Sequence, residues 1–191
     1  MVKKIKKQKG EVRYLKELAE VVYDREWFKK AKNFPLYYIY RQVKDLGKLR
    51  YDITLIPPRR LGKEFVKTKG HYHLGNFGEL YKVLKGEAIF LIQKRDLKDV
   101  YFIRAKKGEL AKIPPGYGHT TINPSRKTLK IANWISKDCQ SDYQSIEKKR
   151  GFCYYYTIKG WVRNPNYKKI PKLKEKKPLK KMPKNLKFLY G

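Results

Sequence analysis

The chain contains only three histidines, and they fall where they could hold a metal ion. Two form the triplet His71-Tyr72-His73. On a strand, residues two apart face the same side, so both imidazoles can converge on one ion. Glu79 follows after Leu74-Gly75-Asn76-Phe77-Gly78, a loop-like stretch that lets its carboxylate swing back to the pair. His119 follows the tight turn Ile113-Pro114-Pro115-Gly116-Tyr117-Gly118. Two or three imidazoles with one carboxylate suit a divalent cation: Fe2+, Mn2+, Ni2+ or Zn2+. Such a set leaves positions open for water or substrate. Cys139 and Cys153 have neither the spacing of a zinc motif nor a disulfide framework, and read as free thiols.

The elements that must position these residues read as strands. Candidates are 37–43, 50–56, 79–84, 87–93, 99–104, 109–113, 118–122, 128–135, 152–158 and 160–163. Turn signals at Lys85-Gly86 and Lys107-Gly108 separate apolar runs. Many short strands at spacings of about ten residues predict an all-β sandwich or barrel. Leu15, Leu18, Val21 and Val22 recur at helical spacing, which predicts one helix over 13–31 ahead of the strands. A short helix is expected over 142–150, capped by Asp142. The organisation expected is a basic arm over 1–12, a domain over 13–163 and a Lys/Pro-rich arm over 164–191. Pro165, Pro171, Pro178 and Pro183 exclude a long helix from the last segment, although scattered apolar residues suit an extended arm laid on the barrel or a partner.

The charge narrows the partners. The net charge is +31, from 48 Lys+Arg against 17 Asp+Glu. Residues 168–191 alone hold ten Lys and one Glu. Such a field attracts polyanions: nucleic acid, a membrane surface or phosphorylated metabolites. Lysine dominates, whereas bidentate base readers lean on arginine, so at most weak, non-specific nucleic-acid binding through the basic arms is expected. No apolar run reaches the roughly 18 residues of a membrane span. The basic N-terminus lacks a following apolar stretch and makes a poor signal peptide, so the cytoplasm is the expected compartment.

These residues resemble the two sequence signatures of the cupins. The second is complete: Gly108, five residues, Pro114-Pro115-Gly116, two residues, His119, three residues, Asn123. The first runs His71-x-His73, five residues, Glu79, six residues, Gly86. It departs from the common pattern in a longer His–Glu gap and in lacking a Gly five residues ahead of the first His. The resemblance implies a small antiparallel barrel with an N-terminal helix and extended basic termini. It also implies one metal ion held by His71, His73, Glu79 and His119.

Gly62-Lys63-Glu64-Phe65, Thr68-Lys69-Gly70-His71-Tyr72-His73, Ala132-Asn133-Trp134, Ser141-Asp142-Tyr143 and Gly160-Trp161-Val162 extend the likeness. Over about residues 50–167 the chain resembles the archaeal cupin-type glucose-6-phosphate isomerases. That implies interconversion of glucose 6-phosphate and fructose 6-phosphate, Fe2+ as first choice of metal, and a homodimer. Glu79 is the candidate catalytic residue, either as proton shuttle or as a ligand supporting a hydride shift. The resemblance carries substrate binding to Thr54, Thr68, Gly70, Tyr81 and Tyr143. Ser141 stands where some members have a His, so any role of that imidazole is absent or passed to a Lys. Lys63 and Lys69 read as surface lysines that could also meet a phosphate. Two other functions fit the residues less fully: a basic cupin scaffold that binds nucleic acid, and another metal-dependent cupin enzyme acting on a small sugar or acid.

Overall fold

The computed structural model describes residues 10–191. It is built from sixteen strands. These are β1 (Glu11–Tyr14), β2 (Pro35–Leu46), β3 (Leu49–Ile56), β4 (Arg60–Leu61), β5 (Glu64–Phe65), β6 (Tyr72–Leu74), β7 (Glu79–Lys85) and β8 (Glu87–Lys94). They continue with β9 (Val100–Lys106), β10 (Leu110–Ile113), β11 (Tyr117–Ile122), β12 (Leu129–Ser136), β13 (Gln140–Asp142), β14 (Tyr154–Thr157), β15 (Gly160–Arg163) and β16 (Lys174–Lys176). One sheet runs β1-β2-β3-β12-β7-β10 and faces a second, β11-β8-β9-β16. Two smaller sheets are β13-β6 and β15-β14-β5-β4.

Burial explains which sequence patterns became which strands. In β3, Asp52, Thr54 and Ile56 are buried while the residues between them are half-open, the alternation of a strand with one face inward. In β8, every residue from Ala88 to Gln93 is buried. A strand covered on both faces reads as a continuous apolar run. Leu36, Ile56, Val83, Ile89, Phe90, Ile92, Ile113, Leu129 and Ile131 belong to the main core.

The helix expected over 13–31 is replaced by three pieces. Residues 11–14 are strand, Leu15–Val21 is a 3-10 helix, and α1 spans Arg25–Lys30. Leu15, Leu18 and Val21 are all buried, and their spacing of three matches the repeat of a 3-10 helix. The Tyr23 N–H is drawn out to the buried Glu64 carboxylate at 3.0 Å. Asp24 then restarts the chain as a helix by accepting the Trp27 N–H at 3.1 Å. The helix expected over 142–150 shrinks to α2 (Gln144–Glu147), whose N-cap is Tyr143, not Asp142. Arg150 in the left-handed region ends that segment. Of the basic arm expected over 1–12, Glu11 and Val12 belong to β1; residues 1–9 lie outside the described residues.

The Lys/Pro-rich tail runs over the barrel. β16 pairs in parallel with β9, Leu179 pairs with Leu110, and a 3-10 turn (Lys187–Leu189) buries Leu189 completely.

Candidate metal centre

Three elements deliver the four expected side chains to one point. His71 precedes β6, His73 lies within it, Glu79 opens β7, and His119 sits in β11. The His71 and His119 backbones exchange hydrogen bonds of 3.2 and 3.0 Å, which fixes the first histidine segment against β11. In the β13–β6 pair, Ser141 stands opposite His73. One donor atom from each of His71, His73, Glu79 and His119 lies within 4.8 Å of the other three. Glu79 Oε2 is 3.3 Å from His73 Nε2 and 3.2 Å from His119 Nε2.

The electrostatics suit a cation. Glu79 Oε2, His73 Nε2 and His119 Nδ1 are buried and have no hydrogen-bond partner among the described residues. Such atoms cost free energy unless something satisfies them. Burial, then the neighbouring His73, Arg41 and Arg50, lowers the His71 pKa to about 3. Burial and the other two imidazoles push His119 well below its ordinary value. Both rings are therefore neutral at pH 7, with a lone pair to offer. Burial alone would lower His73 too. Contact with Cys139 and Glu79 outweighs it and raises the His73 pKa to about 10. A metal ion would have to displace that proton. His73 Nδ1 lies 3.0 Å from the Phe77 carbonyl, which can only accept, so Nδ1 carries a hydrogen and Nε2 faces the cluster. The chemistry of this donor set fits a divalent ion of the Mn–Zn range.

The cluster opens into a cavity. Thr54, Thr68, Gly70, Tyr81 and Tyr143 all line it, together with His71 and Glu79. Gly70 has φ +79°, and a Cβ there would stand 2.5 Å from the Phe152 ring and 3.0 Å from the His119 carbonyl. Only glycine lets this segment run so close to β11. The Thr68 hydroxyl accepts the Thr121 N–H at 3.0 Å, so it also ties two segments together. Tyr81 shares the inward face of β7 with Glu79, and its hydroxyl is 3.0 Å from His119 Nε2. Burial, then the Glu79 charge, keeps that phenol protonated. The Tyr143 ring lies 5.4 Å from the His71 ring. Lys69 reaches the cavity but pairs with Glu147. Lys63 is exposed and lies elsewhere.

The sequence reading missed the cationic side of this cavity. Arg13, Arg41 and Arg50 line it, with Tyr37 and Asp52. Asp52 is buried and accepts from Arg50 Nε at 2.9 Å and from the Gln42 N–H at 2.7 Å. That second bond supports the irregularity between Tyr40 and Lys44 in β2. Bulges of this kind re-aim side chains beside functional sites. Nothing in the spacing of these arginines distinguishes them in a chain so rich in cations.

An antiparallel barrel with three imidazoles and a carboxylate gathered at a cavity is the architecture of the cupins. Within that class, the chain belongs to the glucose-6-phosphate isomerase family, whose sequence profile matches residues 12–172. It is 31% identical over 152 residues to a glucose-6-phosphate isomerase of Thermococcus litoralis, covering 76% of this chain and 79% of that one. The corresponding protein of Pyrococcus furiosus is 30% identical over 136 residues, covering 69% and 71%.

Proposed function

We propose that this protein interconverts glucose 6-phosphate and fructose 6-phosphate, with one divalent cation held by His71, His73, Glu79 and His119. Fe2+ is the first choice, with Mn2+, Ni2+ and Zn2+ compatible with the same donors. The observation that carries the reading is the shared cavity: His71 and Glu79 face the same space as Arg13, Arg41, Arg50 and Lys69. A sugar phosphate needs both a reacting end and a place for up to two negative charges. Thr54, Thr68, Gly70 and Tyr143 are assigned to the substrate alongside the cations. We also assign the protein to the cytoplasm, as a homodimer, the commonest closed assembly. Its exposed tail lysines support at most weak, non-specific contact with nucleic acid.

When bound, the cation supplies Lewis-acid polarisation at C1 and C2 of the open-chain sugar. With Glu79 as a ligand its basicity is lowered, so the hydrogen on C2 of the aldose reaches C1 by one of two routes, through the Glu79 carboxylate as proton shuttle or as a hydride passed directly between the carbons, while the hydroxyl proton on O2 passes to O1. Tyr81, held protonated, donates a hydrogen bond to a sugar oxygen as charge develops. The arginines fix the phosphate, which makes the proton transfer effectively intramolecular.

Glu79→Gln tests the assignment. It keeps the shape and removes the charge and basicity. Turnover of fructose 6-phosphate should fall by about two orders of magnitude or more. Wild-type turnover in that variant would remove Glu79 from the chemistry.

A further inference from the structure

The family match stops at residue 172, yet the chain continues to 191 and returns to the metal centre from behind. The route is anchored in steps. β16 pairs with β9, and Leu179 and Leu110 exchange backbone hydrogen bonds of 2.8 and 2.9 Å. The last turn then reaches the loop 75–78, which joins His73 to Glu79.

The contacts at that loop are direct. The Gly78 N–H donates to the Phe188 carbonyl at 2.7 Å. A Cβ on Gly78 would stand 2.7 Å from the Phe188 ring and 2.9 Å from its carbonyl, so the absence of a side chain permits the approach. Leu189 is fully buried in a cluster with Leu49, Leu80 and Leu110. Leu80 follows Glu79 on β7 and therefore points to the opposite face of the strand. On the inner side, the neighbouring Phe77 carbonyl accepts from His73 Nδ1 at 3.0 Å. The tail thus holds a loop whose carbonyl sets one ligand's orientation and whose end delivers another.

We propose that the C-terminal turn of this chain is a positioning strap for the metal centre, with Leu189 as its anchor. The inference rests on the reading of His73 and Glu79 as metal ligands. Leu189 touches neither metal nor substrate; it acts through Leu80 and the loop 75–78. Loss of a group hydrogen-bonded to a ligand typically changes metal affinity by about 10–100-fold, and the loop that the strap holds carries one such group, the Phe77 carbonyl on His73 Nδ1.

The test is a titration of the metal-free full-length protein with Co2+, followed by its visible absorption. The variants are Leu189→Ala, Leu189→Val, Leu189→Met and, as a control, Leu61→Ala, at a fully buried position in the other core cluster. Leu189→Ala should weaken Co2+ binding by about tenfold or more. Leu189→Met should restore near wild-type affinity, because volume-conserving swaps in cores are tolerated. Leu61→Ala should lower Tm yet leave Co2+ affinity and spectrum unchanged. If Leu189→Ala does not fold, the milder Leu189→Val carries the comparison, with an intermediate weakening expected. Wild-type affinity in a folded Leu189→Ala or Leu189→Val would overturn the strap while leaving the metal site intact. So would an equal loss of affinity in Leu61→Ala. Failure of the wild-type protein to bind Co2+ would instead overturn the ligand assignment, and the strap with it.

Discussion

His71 and His119 lie 48 residues apart in the chain, yet they are backbone partners, with N–H to carbonyl distances of 3.2 and 3.0 Å. The two signature segments are thereby locked in one register. A slip of one residue would turn an imidazole away from the cluster, because strand side chains alternate. Gly70 makes the pairing possible, since a side chain there would strike Phe152 and the His119 carbonyl.

Gly70→Ala should therefore destabilise the protein and weaken metal binding together. The left-handed backbone alone costs a non-glycine residue about 1–3 kcal/mol, before any displacement of Phe152. Denaturant unfolding and metal content, measured on the same preparation, check this. A Gly70→Ala protein as stable as the wild type would contradict the close-approach argument.

His71→Ala combined with His73→Ala should empty the metal site while leaving the fold in place. The core is apolar packing that does not depend on these imidazoles. Elemental analysis should find about one divalent ion per wild-type chain and almost none in the double variant. Circular dichroism should be unchanged. Full metal occupancy in the double variant would refute these two ligands.

Acid should unpick one support of the cavity wall in a defined window. Burial would raise the Asp142 pKa, but hydrogen bonds from Ser145 and the Arg95 guanidinium at 2.8 Å outweigh it and bring it down to about 2. The ordinary value is 3.8. A depressed carboxylate stabilises the fold above its unfolded pKa, and that contribution fades as pH falls from about 4 towards 2. Asp142→Asn should thus lower Tm at pH 6, with the difference shrinking by pH 2. A difference that stays constant across that range would show that the charge is not what matters.

The clustering of His71, His73, Glu79 and His119 was legible because histidine is rare here and all three histidines fall in the signature segments. The apolar run 87–93 fell close to its observed strand because it is short, rich in β-branched and aromatic residues and preceded by the Lys85-Gly86 turn signal. Short elements were not legible. β4, β5, β6 and β13 are two or three residues long, below the length at which alternation means anything. The expected N-terminal helix failed because the spacing of three shared by Leu15, Leu18 and Val21 fits both helix types, and their burial goes with the tighter one. Arg41 and Arg50 could not be singled out among 48 cations. Their place depends on the buried Asp52 and an irregular strand, which are tertiary facts. The buried Lys67, ion-paired with Glu64 and bonded to the Val21 carbonyl at 2.8 Å, was invisible for the same reason.

In the proposed reaction, a metal held by His71, His73, His119 and Glu79 serves the aldose–ketose isomerisation of a sugar phosphate. The most direct measurement is turnover of fructose 6-phosphate in a coupled assay for glucose 6-phosphate. The purified full-length protein is compared as prepared, after chelation, and after Fe2+ or Mn2+ is restored. Turnover that collapses on chelation and returns with the metal is the predicted result. A metal-loaded, folded protein that leaves fructose 6-phosphate unchanged would contradict it.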